Sequence, residues 1–421
     1  MQPFISLFLP KYVPLCYVTQ MATDFLYQQH QQFFGLISEG LIPWGAEELR
    51  AAGAERIEPG YRGIHFQATP AVLYHQLYTT RLFSRILAPL FSFDCHSSKY
   101  LYRRAAAIDW PALFTPEMTF AIDAVTSHSA IRHSRYAALT LKDAIVDRFR
   151  EDTGTRPSVS VRNPSIRFHL YIQQNRATIS MDLAGSSLHR RGYRVASVEA
   201  PMTETIAAGL LAASDWDGQA PLVDPFCGSG TILCEAWMRA CAIPAGYLRA
   251  YWGLTALPDF DKTLWRQVRE RADGKIHCSA TAVRGSDIAK DAVQATQTNL
   301  AQLPYGDRVK VDVKDARALM VPADTWIVTN PPYGVRLGQP ETAQDTLKAF
   351  GDTLKQQCAG ASAFIYYGAP ALLKRLGLKP FQRIPIAHGG LEGMLGCYRL
   401  FAGPADQQPR QASSHTQPGP Q

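Results

Sequence analysis

The sequence predicts an α/β protein in which a doubly wound, mostly parallel sheet fills the C-terminal half and two small α+β segments precede it. Three observations lead there. From about residue 200 onward, short apolar runs alternate regularly with amphipathic runs of helical length, the grammar of parallel strands joined by crossover helices. Three of those apolar runs stop on Asp224, Asp287 and Asn330, and in an open sheet of this kind ligands bind at the carboxyl ends of strands. Upstream of residue 200 helical and strand-like stretches mix without that alternation. At 421 residues the chain is too long for one compact core and suits two or three domains. Its 46% hydrophobic and 19% charged residues are those of an ordinary globular protein.

In chain order, residues 1–20 are apolar, yet Pro3, Pro10, Pro14 and Lys11 interrupt them and no small-residue cleavage site follows. They are read as an unstructured extension, with Met21 as the working start. No run is long enough to span a bilayer. Residues 21–94 form a first domain, with a helix over 45–51 and a strand over 63–68. A longer amphipathic helix is predicted over 72–90, because Leu73, Leu77, Leu82, Ile86 and Leu90 fall near helical spacing. Residues 95–194 form a second domain with strands at 119–125, 158–161, 166–173 and 177–183 and a helix at 136–149. The third domain, 195–402, reads helix 203–213, strand 221–225, helix 231–239, strand 281–287, helix 290–300, strand 309–313, strand 326–330, helix 343–357, strand 363–367, helix 369–376 and two closing strands. Residues 244–276, with Trp252 and Trp265, read as a helical insertion. Residues 403–421, rich in Gln, Pro and Ser, read as a disordered tail.

Charge is unevenly spread. Between Arg132 and Arg194 there are twelve Lys/Arg against five Asp/Glu, an excess equal to the +7 of the whole chain. Such a segment is a candidate electrostatic footprint for nucleic acid. The eight cysteines form no Cys-x-x-Cys and sit beside no His pair at zinc spacing, so no metal site is expected and a reducing, cytoplasmic compartment follows. Cys227, Cys234 and Cys241 recur every seven residues and are expected as buried thiols on one helix face.

The first chemical signal is Val223-Asp224-Pro225-Phe226-Cys227-Gly228-Ser229-Gly230-Thr231. A strand ends in an acid, a turn follows whose two glycines let backbone approach a ligand, and a helix opens. This is not the G-x-G-x-x-G spacing that seats a pyrophosphate. It suits a ligand without phosphates that carries a positively charged amino-acid part, which is the description of S-adenosylmethionine. Asp287, ending the next strand ahead of Ile288, is placed to accept from ribose hydroxyls. Asp315, ahead of Ala316, could accept from an adenine amino group. The third signal is Asn330-Pro331-Pro332-Tyr333 at another strand end. The prolines lack N–H and stiffen the turn. An exocyclic amine is a poor nucleophile because its lone pair is conjugated into the ring. Acceptance of its two protons by the Asn330 side-chain oxygen and the Pro331 carbonyl favours a pyramidal nitrogen that can attack, with Tyr333 offering a flat face to an unstacked base. The reaction so read needs no metal.

These motifs resemble the amino-methyltransferases labelled N6-adenine-specific. The segments Leu188-His189-Arg190-Arg191-Gly192-Tyr193-Arg194, Glu199-Ala200-Pro201-Met202-Thr203-Glu204-Thr205, Ile131-Arg132-His133-Ser134-Arg135-Tyr136 and Lys142-Asp143-Ala144-Ile145-Val146-Asp147 narrow the likeness. They resemble the bacterial large-subunit rRNA guanine-N2 methyltransferases, over residues 25–400. The resemblance implies a Rossmann-like class I catalytic domain behind ferredoxin-like and THUMP domains, with S-adenosylmethionine as methyl donor, S-adenosylhomocysteine as product and guanine N2 in 23S rRNA, or an assembling particle, as target. It implies that Asp224, Asp287 and Asp315, with Phe226 to Thr231, Ile288, Ala316 and Asn330, line the cofactor, Thr203 and Thr205 lie near its carboxylate, and Asn330 to Tyr333 hold the base. It gives Arg132, Arg135, Lys142, Arg190, Arg191 and Arg194 to RNA. Some relatives carry a second methyltransferase domain; here the chain ends in the tail, so a second methylation is not expected. A tRNA guanine-N2 enzyme, a DNA N6-adenine methyltransferase and a non-catalytic RNA-binding assembly factor are the alternative readings.

Overall fold

The computed structural model describes residues 25–198, 201–332, 340–387 and 392–401. The expected N-terminal extension with Met21, the expected tail and Tyr333 lie outside the described residues. Within them fourteen strands form two seven-stranded sheets.

The first sheet holds β1 (Gln32–Leu36), β2 (Glu55–Gly60), β3 (Gly63–Gln67), β4 (Arg85–Asp94), β5 (Phe120–Ser127), β6 (Ile166–Gln173) and β7 (Arg176–Asp182), in the order β2-β3-β1-β4-β7-β6-β5. Neighbours are antiparallel except β5 and β6. Strand β4 pairs with β1 on one side and along its length with β7 on the other. One sheet therefore runs through both N-terminal segments.

The helix expected over 72–90 is corrected here. A helix spans Pro70–Thr79, started by Thr69, whose hydroxyl accepts from the Val72 amide at 3.5 Å. At Thr80 the backbone turns extended (ψ 132°), and Arg85–Asp94 is the central strand β4. Ile86, Leu87 and Ala88 are all buried. A strand covered on both faces loses period-two alternation, and its apolar run cannot be told from a buried helix by spacing. The strand expected at 158–161 shrinks to a single bridge, Val159 to Phe120, between Pro157 and Pro164, neither of which can donate to a ladder. The helix expected at 136–149 is longer, Ser134–Thr153, and stops at Gly154, which takes the left-handed φ of 71°.

The second sheet holds β8 (Leu222–Asp224), β9 (Val283–Asp287), β10 (Lys310–Val313), β11 (Trp326–Thr329), β12 (Ser362–Tyr367), β13 (Gln382–Pro385) and β14 (Met394–Arg399), ordered β10-β9-β8-β11-β12-β14-β13. The first five in that order are parallel and the last two antiparallel. Alternating side chains feed two cores. Leu222, Val328 and Phe364 join the core shared with helices Glu204–Ala213, Thr231–Ala240 and Lys290–Leu300, whereas Val223, Ile327 and Ile365 pack with Leu347, Phe350 and Leu354 of helix Pro340–Gln357. Chain order reverses between β8 and β11, so the switch-point crevice opens at their carboxyl ends.

The insertion leaves the other end of the sheet, just before β9. Its helix Lys262–Asp273 puts Trp265 edge-on against Tyr74 and Tyr78, ring centroids 5.8 Å apart in each case. Tyr78 donates to Asp273 at 2.8 Å and Tyr27 to Asp259 at 2.5 Å. It thus fastens the N-terminal sheet to the catalytic one. Among the described residues no helix is long and apolar enough to cross a membrane.

Candidate active site

Register lines up the strand ends. Asp224 lies opposite Gly285, Asp287 opposite Val313, and Trp326 and Ile327 of β11 opposite Leu222 and Val223. Asp315, Asp287, Asp224 and Asn330 therefore follow one another along one edge of the sheet.

Asp224 is 1% exposed. Its Oδ1 accepts from the Thr329 hydroxyl at 2.6 Å and from the Phe226 amide at 3.1 Å. Oδ2 takes no hydrogen bond among the described residues. Burial pushes the carboxyl up from 3.8 to about 7; the two hydrogen bonds oppose this and Asp287 adds to it. Such a group trades its proton for a cationic ligand near neutrality. In the unliganded protein a raised carboxyl stabilises the fold below its unfolded value, and that contribution is lost as pH rises through about 7. Binding of a cationic ligand runs the opposite way. Its affinity is expected to fall as pH drops from 8 to 6, roughly tenfold per unit below the transition, when measured by calorimetry in the wild type but not in Asp224→Asn. A pH-independent affinity would remove Asp224 from the ligand.

The turn after β8 is built by distant residues. Gly230 has φ 80°, and a Cβ on it would stand 2.6 Å from Thr296 Cγ2. Gly228 has φ 54°, and a Cβ on it would stand 3.8 Å from Val198 Cγ2, so it is the left-handed backbone rather than a lack of room that calls for glycine. The Gly228 amide donates to Asp287 Oδ2 at 3.0 Å, while the Ala289 amide donates to Oδ1 at 3.0 Å. Thr296 donates to the Gly228 carbonyl at 2.7 Å. Asn299 is fully buried: it donates to the Ser229 and Ala196 carbonyls and accepts from the Val195 and Ala196 amides, all within 2.8–2.9 Å. Thr296, Asn299 and Thr329 escaped the sequence reading. Polar residues on the apolar face of a helix or in a central strand are the signal that could have found them.

The remaining residues fall as follows. Thr203 stands at the N-cap position of helix Glu204–Ala213, with no capping bond from its hydroxyl, and Thr205 is buried in the first turn. Phe226 meets Phe350 edge-on at 5.1 Å. Cys227 lies in the turn, not on the helix, which corrects the shared helix face expected for three cysteines; Cys234 is on the helix and Cys241 is its C-cap. Burial pushes the Cys227 thiol far above its ordinary range, so it is no nucleophile. Ile288 is 69% exposed and Ala316 buried. Asp315 is held by Arg317, whose side chain and amide both bond it and keep its carboxyl below the ordinary value. Pro331 is buried and Pro332 exposed. Asn330 Oδ1 is buried with no hydrogen-bond partner among the described residues.

Two of the arginine readings are corrected, whereas Lys142 stays 34% exposed in a surface pair with Asp143 at 2.5 Å. Arg191 is 1% exposed, paired with Glu235 at 3.2 Å and bonded to the carbonyls of Thr80, Arg81 and Leu188. Arg194 pairs with Glu204 at 3.0 Å and donates to Ser229 and Thr231 in the glycine turn. A guanidinium already satisfied inside the protein has no donors to offer a phosphate. Arg132, Arg135 and Arg190 remain exposed.

A doubly wound sheet of this order, with acids at successive strand ends, a two-glycine turn and Asn-Pro-Pro beyond the switch point, defines a class I S-adenosylmethionine-dependent methyltransferase. Residues 191–396 match the RMKL-like methyltransferase domain family and residues 95–182 the THUMP domain. A Synechocystis protein named as a candidate RNA methyltransferase is 36% identical over 88% of this chain and 97% of its own length. The chain belongs to this methyltransferase family. Ribosomal RNA large subunit methyltransferases K/L of Photobacterium profundum and Syntrophotalea carbinolica are 34% and 35% identical over 92% and 90% of this chain. The chain spans 55% of the length of each. Among solved structures, a possible methylase from Clostridium difficile superposes with a TM-score of 0.79 at 25% identity, over 89% of this chain and 99% of its own. SMU.472, a candidate methyltransferase crystallised with S-adenosylhomocysteine, gives 0.78 at 22% identity, over 89% of this chain and 98% of its own.

Proposed function

We propose that this protein transfers a methyl group from S-adenosylmethionine to the exocyclic N2 of a guanine in large-subunit (23S) rRNA. The observation that carries the chemistry is Asn330 Oδ1, a buried acceptor with no partner among the described residues, one residue past a strand whose Thr329 bonds Asp224. An orphaned acceptor there is what an amine donor would satisfy.

The residues fit the cofactor. Asp224 Oδ2, without a hydrogen bond among the described residues and hard to ionise alone, would take the ammonium of the methionine part, and Gly228 keeps the backbone beside it free of a side chain. Asp287 would meet the ribose and Asp315 with Ile288 the adenine. The sulfonium supplies an electrophilic methyl. Asn330 and the Pro331 carbonyl would accept hydrogen bonds from the two amine N–H groups and localise the nitrogen lone pair; as the N–CH3 bond forms the S–CH3 bond breaks, S-adenosylhomocysteine leaves and the methylated nitrogen gives up one proton to solvent. Rigid placement on a central strand end supplies orientation, which is worth several powers of ten in rate. Membership of the family and the THUMP match support RNA over DNA, and the K/L relatives support the large-subunit rRNA. Guanine over adenine rests on the resemblance. A cytoplasmic setting suits that substrate, and the described cysteines are all free thiols.

Mass mapping of modified nucleosides from a strain lacking the protein tests this. One N2-methylguanosine is expected to vanish from 23S rRNA and to return when purified protein and S-adenosylmethionine are added. Its disappearance from tRNA instead would establish the tRNA reading; intact rRNA and tRNA would defeat both.

A further inference from the structure

The basic excess of the N-terminal half sits at two ends of one sheet, and they are not equivalent. β5 and β6 run parallel for eight residues each, so their ends stand about 25 Å apart. Arg132 and Arg135 lie at the far end, beyond Ser127, where the Ala130 amide donates to Asn175 in the β6–β7 turn at 2.8 Å. The loop 154–165 lies at the near end, joined to the start of β5 through Ser158 and Ser160. On the β5–β7 side of the sheet the described contacts with the catalytic half fall at this near end: Tyr251 donates to the Pro164 and Ser165 carbonyls at 2.9 and 2.7 Å, and the Leu254 amide to Leu183 at 2.8 Å.

The connector to the active site leaves from the same end. Arg249, stacked on Trp252, gathers the carbonyls of Ala184, Ser186, Ser187 and Arg190. Arg194 and Asn299 then bolt the connector to the glycine turn. Arg190 projects from this clamped segment, exposed and without an ion-pair partner among the described residues. Arg156 and Arg162 on the loop are likewise exposed and unpaired, beside Val161, which is 73% exposed. By contrast the long helix between the two ends neutralises itself through Lys142–Asp143, Arg148–Asp152 and Arg150–Asp147.

We propose that the phosphate backbone of the RNA substrate is carried to the catalytic edge over the loop 154–165 and the connector, with Arg156, Arg162 and Arg190 as its phosphate contacts, rather than over the Arg132–Arg135 end. The proposal rests on the RNA reading above and adds where on the protein the RNA lies. Arginines on a segment whose backbone is already held bind phosphate at the cost of side-chain ordering alone, and the neutralised helix offers no continuous track to the far end.

The test is binding of 23S rRNA transcribed in vitro to the full chain, followed from 50 to 200 mM salt. The pair Arg156→Gln with Arg162→Gln is expected to flatten the log–log salt slope by about 1.5 to 2, and Arg190→Gln by about 1. Arg132→Gln with Arg135→Gln is expected to leave it unchanged. All these side chains are exposed, so melting temperatures should match the wild type. The reverse pattern, equal flattening by both pairs, or no flattening by either would overturn the proposed track. A wild-type protein that does not bind the transcript at all would instead defeat the RNA reading on which it stands.

Discussion

Replacing Asn330 by alanine is expected to lower methyl transfer by at least about a hundredfold, in the range seen when a single group that acts on the reacting atoms is removed. Cofactor affinity should stay within a few-fold, because Asp224, Asp287 and the glycine turn are untouched. The fold should not suffer either. A buried acceptor without a partner costs about 1–3 kcal/mol, so deleting Asn330 Oδ1 is expected to hold or raise the melting temperature. Loss of activity with gain of stability is a signature that a merely structural residue would not give. Asn330→Asp keeps an acceptor at the same reach and should retain more turnover than alanine. Single-turnover transfer from labelled S-adenosylmethionine, beside calorimetric cofactor binding, measures both. An alanine variant that turns over normally would end the amine-activation role.

The catalytic half was legible because strand ends in a parallel sheet announce themselves. Asp224, Asp287 and Asn330 each close an apolar run, and the register sets them on one edge. The supports of that edge were not legible. Asn299 and Thr296 reach the glycine turn from a helix about seventy residues on in sequence, a separation that no local pattern encodes. The N-terminal half was harder for the reason that β4 shows. Leu73 and Leu77 are truly helical, but Leu82, Ile86 and Leu90 extend their spacing across the break at Thr80 into a strand buried on both faces. Charge was legible in sign and not in employment. Arg191 and Arg190 are adjacent, yet one is sealed in the core and the other faces solvent. The clue lay in the partners. Glu235 sits in Thr231-Ile232-Leu233-Cys234-Glu235-Ala236-Trp237-Met238 and Glu204 opens an almost wholly apolar helix. A carboxylate in such company needs a buried cation, and the connector arginines are what supply it.

That pairing yields the second large effect. Arg191 and Glu235 are 1% and 0% exposed, and Tyr193 also donates to Glu235 at 3.1 Å. Burial works against the Arg191 charge, but Glu235 outweighs it and holds the guanidinium above its ordinary value. Glu235→Ala strands that cation and is expected to cost about 3–5 kcal/mol, since a buried charge without its partner cannot be rehydrated in place. Thermal and urea unfolding would register it. Glu235→Leu combined with Arg191→Met removes both charges and should recover part of the loss, because a well-packed apolar pair can replace a buried ion pair at little cost. Recovery cannot be complete: the Thr80, Arg81 and Leu188 carbonyls lose their donor in the process. If the double variant is as unstable as Glu235→Ala alone, the guanidinium serves chiefly those three carbonyls, and the ion pair only neutralises it. In either case the salt slope for RNA should not move per folded molecule, whereas Arg190→Gln, one residue away, should move it without touching stability.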